Sequence, residues 1–330
     1  MTRLVTGLSL ALCAAAVFSL HAGLTFFEPS TVWLALGGGE GADALIVTTL
    51  RVPRTLIGLA AGAALGLSGL LMQSVTRNPV AEPGLLGINA GAALFVTLGV
   101  TVFGVSTLAG IGAAAVLGAL LTTGLVFTIS LSAGGAANPA TTLLAGFTVA
   151  ALLASFTQTL LLIDETALET LLFWLSGSFA DRPLQLLRLG VPMLILGVAG
   201  SLYLSTALDV LRLDDTSAHA VGLNVAGVRL AALTFAALLA AGAVAMAGPI
   251  MFLGLAAPHI ARMLTGRALP PTWQLIVLTL LTGALLAIIA DILARIIVAP
   301  GEAPMSAVLA LVGVPMLIHV LRRRERPAVS

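Results

Sequence analysis

Arg51 and Arg54 stand three residues apart in the stretch LRVPRTLIGL, Leu50 to Leu59, at the mouth of a long apolar run. A guanidinium carries a planar fork of donors that suits a carboxylate or a phosphate. A pair of them here has two readings. They receive acidic groups of a partner, or they snorkel to lipid phosphates and pair with acids elsewhere in the chain, Asp291 and Glu302 among them. A second charged couple lies downstream. Asp291 precedes Arg295 by four residues, so the two are expected to form a structural ion pair along one helix face. Asp291 is the clear case of an acid inside an apolar segment.

Other chemistry is scarce. All 15 basic residues are arginine, which excludes a P-loop lysine, a Schiff base or a lysine general base. Cys13 is the single cysteine, so no internal disulfide forms. No His, Cys and Asp cluster has metal-ligand spacing, and no Ser-His-Asp arrangement stands out. His259, beside Pro258, reads as a packed histidine before a ligand. No catalytic residue, metal or cofactor is expected, and the chain is read as a non-enzyme. A proton-coupled carrier needs buried acids or histidines as relays. This chain offers one acid, neutralised by its neighbour.

The elements that position these residues follow from composition. Of the 330 residues 59% are apolar and 9% charged, with mean hydropathy +1.13. Soluble domains carry roughly a quarter charged residues, so this chain is an integral membrane protein. The net charge of +1 sets up no field for nucleic acid. A span needs about 20 apolar residues. Segments 4–27, 54–75, 84–104, 108–131, 140–163, 184–206, 229–248, 250–266, 272–298 and 304–321 meet or approach this, which gives about ten transmembrane helices in one domain over 1–330. The first, though it resembles a signal peptide, is read as a retained span. Leu168 to Phe179 is too short to span and reads as a re-entrant or interfacial helix.

Arginine placement sets orientation. With both termini inside, ten arginines lie inside and five (Arg51, Arg54, Arg182, Arg188 and Arg295) lie outside or near the outer ends. Outer loops collect acids, so Arg51, Arg54 and Arg295 run against the trend. Gly58, Gly62 and Gly66, and again Gly110, Ala114 and Gly118, recur at four-residue spacing and predict close helix packing. Asn78 to Pro83 before one span and Glu302 to Pro304 before another suggest an inverted repeat. The longest polar inner loop runs over 209–229. It is expected to hold short helical pieces broken at Gly222 and Gly227. Ala218, Ala220 and Val221 give it small apolar knobs for a cytoplasmic partner.

The stretches RVPRTLIGLAAGAALGLSGLLMQSVTRNPVAEPGLLGINAGAAL, FWLSGSF at 173–179, GPIMFLGLAAPHIARMLTG at 248–266, ADILARII at 290–297 and the run from Glu302 to Pro315 together resemble the permease family of ABC importers for ferric siderophores, haem and cobalamin. The resemblance covers almost the whole chain in the family's order. It implies an all-α polytopic fold of ten spans, dimerised around a central pathway as a homo- or heterodimer. It also implies two cytoplasmic ATP-binding subunits, a periplasmic or lipid-anchored substrate-binding protein, and a multi-pass place in the bacterial inner membrane. By resemblance the 209–229 loop is the segment that couples to the ATPase, with Ser217, Ala220, Gly222 and Asn224 within it. Asp214 and Asp215 depart from the family's usual Gly-Glu. Asn78 and Val80 match its cytoplasmic gate, and Arg51, Arg54 and Arg295 match its binding-protein docking positions. The short run after 266 is more similar to siderophore permeases than to cobalamin ones. The expected function is import of a ferric siderophore, with haem or cobalamin as the alternative cargo and a secondary carrier as the alternative class.

Overall fold

The computed structural model describes residues 1–23, 25–132, 139–266, 270–297 and 303–324. Arg267, Glu302 and Arg326 lie outside them. Every regular element among the described residues is helical. The chain opens with α1 (Thr2–His21), followed by the short α2 (Pro29–Leu36) and α3 (Ala42–Ile46). The long α4 (Val52–Thr76) leads to α5 (Ile88–Thr101), α6 (Leu108–Ser132) and α7 (Pro139–Leu161). Next come α8 (Glu165–Leu175) and α9 (Leu187–Tyr203), then two short pieces, α10 (Ser205–Leu211) and α11 (Asp215–Ala220). The chain finishes with α12 (Val225–Ala247), α13 (Leu253–Thr265), α14 (Thr272–Ile297) and α15 (Met305–Arg324).

Each of the ten expected spans contains a helix. Among the described residues, seven helical stretches are long and apolar enough to cross a membrane by themselves. The helices α5 and α13 are shorter, at 14 and 13 residues. Each follows a proline-bearing irregular stretch, and proline removes a helical amide. These stretches turn inside the bundle, where Gly254 meets Pro83 and the backbone of Leu65 on α4. Irregular backbone at that depth is tolerated where protein surrounds it.

The hub is α4, which packs against α14, α12 and α13 and is buried along most of its length from Thr55 to Val75. A helix apolar all round belongs in such a position. Its glycine stripe is what lets α14 approach: a Cβ on Gly62 would strike the Gly283 carbonyl and the Ala287 methyl. Apolar burial gives helices little reason to associate in lipid, so this close fit carries the contact. The α6 stripe works the same way, with Gly118 against Gly91 of α5.

Pro53 stands in the first turn of α4, and the helical path that reaches it begins at Ala42 and passes through a π-helical turn over Val47–Arg51. The wider turn absorbs the register that the missing proline amide would otherwise break.

Candidate functional site

The candidate site residues gather at the two ends of the bundle. At the end where α4 finishes, the link from α10 to α12 projects from the helices. Asp214 caps α11, accepting from the Ser217 amide at 2.7 Å and from its hydroxyl at 2.6 Å. These bonds hold its carboxyl below the usual carboxylate range. Such a cap satisfies orphan donors of the first turn. Gly222 stops α11 with φ +82°, a left-handed value that favours glycine. Asn224 then caps α12 by accepting from the Gly227 amide at 3.0 Å. Gly227 therefore lies inside the first turn of α12 and is no break, contrary to the sequence expectation.

Asp215 fastens this segment to the bundle. Its Oδ1 accepts from Arg77 at 2.7 Å and from Arg229 at 2.8 Å. Partial burial opposes its charge, but Arg229 and then Arg77 outweigh that and hold the carboxyl below its ordinary value. Arg77 also donates to the Leu211 carbonyl at 2.6 Å and ends α4 in a left-handed conformation with φ 49°. Nearby, Asp209 accepts from the Thr272 amide at the start of α14. The exposed tip differs from the expected knobs. Ala218 is fully buried, whereas Ala220 is exposed and Val221 is 71% and Leu213 66% exposed. Ala218 points inward because the Asp214 cap sets the phase of α11. Asn78 and Val80 follow Arg77 directly. The Asn78 side chain accepts from the Val80 amide at 3.1 Å, closing a tight turn. This turn is therefore covalently joined to the residue that grips Asp215.

At the opposite end Arg51, Arg54, Arg295 and Asp291 form one network. Asp291, on α14 and fully buried, accepts from Arg54 of α4 at 2.8 Å and from Arg295. The expected ion pair along α14 is present, and Arg54 joins it from a neighbouring helix. Arg295 also donates to the Ser19 and Ala22 carbonyls at 3.0 and 2.9 Å. Arg51 donates to the Leu20 and His21 carbonyls at 2.9 and 2.6 Å and lies 4.2 Å from the centre of the Phe27 ring. The two arginines thus cap the last turn of α1, whose carbonyls have no intrahelical partner and carry the negative end of the helix dipole. They are 6% and 5% exposed, so the picture of three open outer cations changes. A cavity of about 370 Å³, lined by all three arginines with Asp181, opens beside them. Sequence reasoning missed the α1 carbonyls, because backbone acceptors leave no residue signature.

This bundle, with a buried glycine-packed hub and polar segments at both ends, defines a multi-pass helical membrane permease. A family model described as the FecCD transport family matches residues 10–323, and the chain belongs to that family. It is 43% identical over 324 residues to the ferric enterobactin transport system permease protein FepD of Escherichia coli (strain K12), covering 98% of this chain and 96% of that protein. It is 36% identical over 282 residues to the Fe(3+)-citrate import system permease protein YfmD of Bacillus subtilis (strain 168), covering 85% and 82%. An inward-facing metal-chelate type ABC transporter matches with a TM-score of 0.85 and 30% identity, covering 98% of this chain and all of that one.

Proposed function

We propose that this chain is the permease subunit of an ATP-driven importer that moves a ferric siderophore across the bacterial inner membrane. The observation that carries the reading is the exposed apolar tip of Leu213 and Val221, held on a segment tied to the end of α4 by Asp215. Such a tip suits the cleft of a cytoplasmic ATP-binding subunit, and the tie passes a push from that subunit to α4 and to the Asn78–Val80 gate turn. The similarity to ferric enterobactin and ferric citrate permeases supports an iron chelate as cargo. Two ATP-binding subunits, a second permease subunit and a periplasmic or lipid-anchored binding protein complete the assembly. Both termini and the α10–α11 segment face the cytoplasm, in line with the ten-to-five arginine asymmetry.

Arg51, Arg54 and Arg295 face the other side. There they serve the binding protein by shaping and charging the cavity beside them, with Arg54, at 11% side-chain exposure, the most accessible of the three. An acidic group of the binding protein entering that cavity gains steered association and a fixed register. The test is uptake into liposomes that hold the chain reconstituted with its ATP-binding subunit, with the binding protein added outside. Uptake of a ferric siderophore that needs ATP and both partners is the expected result. Proton-driven uptake by the isolated chain would overturn it in favour of a secondary carrier. ATP-dependent uptake of haem or cobalamin alone would replace the cargo.

A further inference from the structure

A second cavity of about 370 Å³ lies between the α5–α6 turn and α8, away from the arginine network around Asp291. Val105, Leu108, Ile111 and Phe173 give it apolar walls, and Ser106, Thr166 and Thr170 bring hydroxyls to it. Arg182 and Trp174 also line it, and both are almost completely buried, at 4% and 1% exposure. Arg182 Nη2 and Trp174 Nε1 are buried with no hydrogen-bond partner.

The guanidinium is held in place. Its Nε donates to the Ser178 carbonyl at 3.3 Å, and its plane lies over Phe173 with 5.0 Å from Cζ to the ring centre. Asp181, the preceding residue, attracts it but forms no ion pair with it among the described residues. Burial lowers its proton affinity, yet an arginine does not give up its proton in a protein. A buried cation without a counter-ion is strongly disfavoured. Both orphan groups are donors, so the missing partner is an acceptor with negative charge.

We propose that this cavity binds an amphiphilic oxoanion, a carboxylate or phosphodiester on an apolar body, with Arg182 and Trp174 Nε1 holding the charged oxygens and the apolar walls holding the body. The shared chemistry has two sources: an anionic phospholipid of the bilayer, or a free anion. Arg182 suits the task because its fork reaches two oxygens of one group.

The test uses the assembled complex, delipidated in detergent and titrated separately with dioleoylphosphatidylglycerol, sodium oleate and inorganic phosphate. Native mass spectrometry counts the bound species, and thermal melting reports stabilisation. The wild type is expected to bind phosphatidylglycerol or oleate, and Arg182→Gln to bind it about tenfold more weakly or worse, since a charge-assisted hydrogen bond is lost. Ser106→Trp, which fills the exposed mouth and keeps the cation, is expected to exclude the ligand and carries the comparison if Arg182→Gln does not fold. Binding of phosphatidylglycerol alone assigns the site to the bilayer, and binding of oleate assigns it to a free amphiphile. If phosphate binds as well as either amphiphile, or if wild type and both variants bind all three probes alike, the proposal is wrong and the guanidinium is held by Ser178, Phe173 and the charge of Asp181 alone. The readout is ligand binding, so it stands apart from the outcome of any uptake assay.

Discussion

Arg77, the residue that ends α4, donates to Asp215 Oδ1 at 2.7 Å on the short helix that projects from the bundle. The two are 138 positions apart. Their side chains are 37% and 43% exposed, so the pair contributes only about 0–1 kcal/mol to stability. On the proposed coupling role, its value lies in transmission. Arg77→Ala is expected to leave the melting temperature of the complex nearly unchanged, whereas Asp215→Asn, which also takes the counter-ion from the 9%-exposed Arg229, is expected to lower it. Both should lower siderophore uptake per ATP hydrolysed, because α11 moves without pulling α4. Equal stoichiometry in wild type and variants would show that the push travels another way.

The same carboxylate sets a pH response. Asp215 has a pKa below its ordinary value of 3.8 in the folded protein. A depressed carboxylate contributes stability above its unfolded value and loses it as pH falls through the folded value. The anchoring of α11 is therefore expected to be unchanged from pH 7 to about pH 5 and to weaken only at about pH 4 and below. A nitroxide at Ala220→Cys, an exposed position, reads this as a rise in mobility. A midpoint near neutrality would overturn the assignment to Asp215.

Gly222 separates backbone strain from fit to a partner. A Cβ there meets nothing within 4 Å in this chain, while its φ of +82° disfavours most side chains. Gly222→Asn, which tolerates that conformation, is expected to leave the isolated permease intact. Gly222→Val adds strain of order 1–3 kcal/mol. If both variants abolish uptake and lose affinity for the ATP-binding subunit in pull-down, the glycine is there for the partner's cleft. Loss with valine only assigns it to the turn.

Asp291 joins α4 to α14 through Arg54 and to the end of α1 through Arg295. Asp291→Leu strands two cations inside the bundle. Removing one member of a buried pair typically costs about 3–5 kcal/mol. The variant is expected to lose most of its folded yield, measured by size-exclusion in detergent. Arg54→Gln, at the rim, should cost less and should weaken binding-protein docking. Unchanged docking would make Arg54 a structural pair only.

Gly62 and Gly124 form a matched test of helix approach. Gly62→Leu drives a side chain into the Gly283 backbone and is expected to destroy the α4–α14 contact. Overpacking of this kind costs about 1–3 kcal/mol or more. Gly124→Leu, on α6, meets open space and is expected to be tolerated. Comparable folded yield for both would mean that α14 can retreat from α4.

The sequence by itself determined the class and much of the layout. With 9% charged residues and apolar runs of span length, the backbone has no alternative to helices in lipid. Glycines at four-residue spacing named the packed faces, and Asp291 with Arg295 named an ion pair, because both depend only on the helical repeat. The destination of Arg51 and Arg54 was decided by tertiary structure. Their partners are backbone carbonyls of α1 and a carboxylate 237 residues away, brought close by the stacking of α1 and α4 on α14. Ala218 turned inward for the same kind of reason: a cap fixes the phase of a short helix, and six residues are too few for periodicity to reveal it. The orphan donors of Arg182 and Trp174 were also beyond the sequence's reach. Burial without a partner is a property of the space around a side chain, and only the packing of α8 against α5 creates that space.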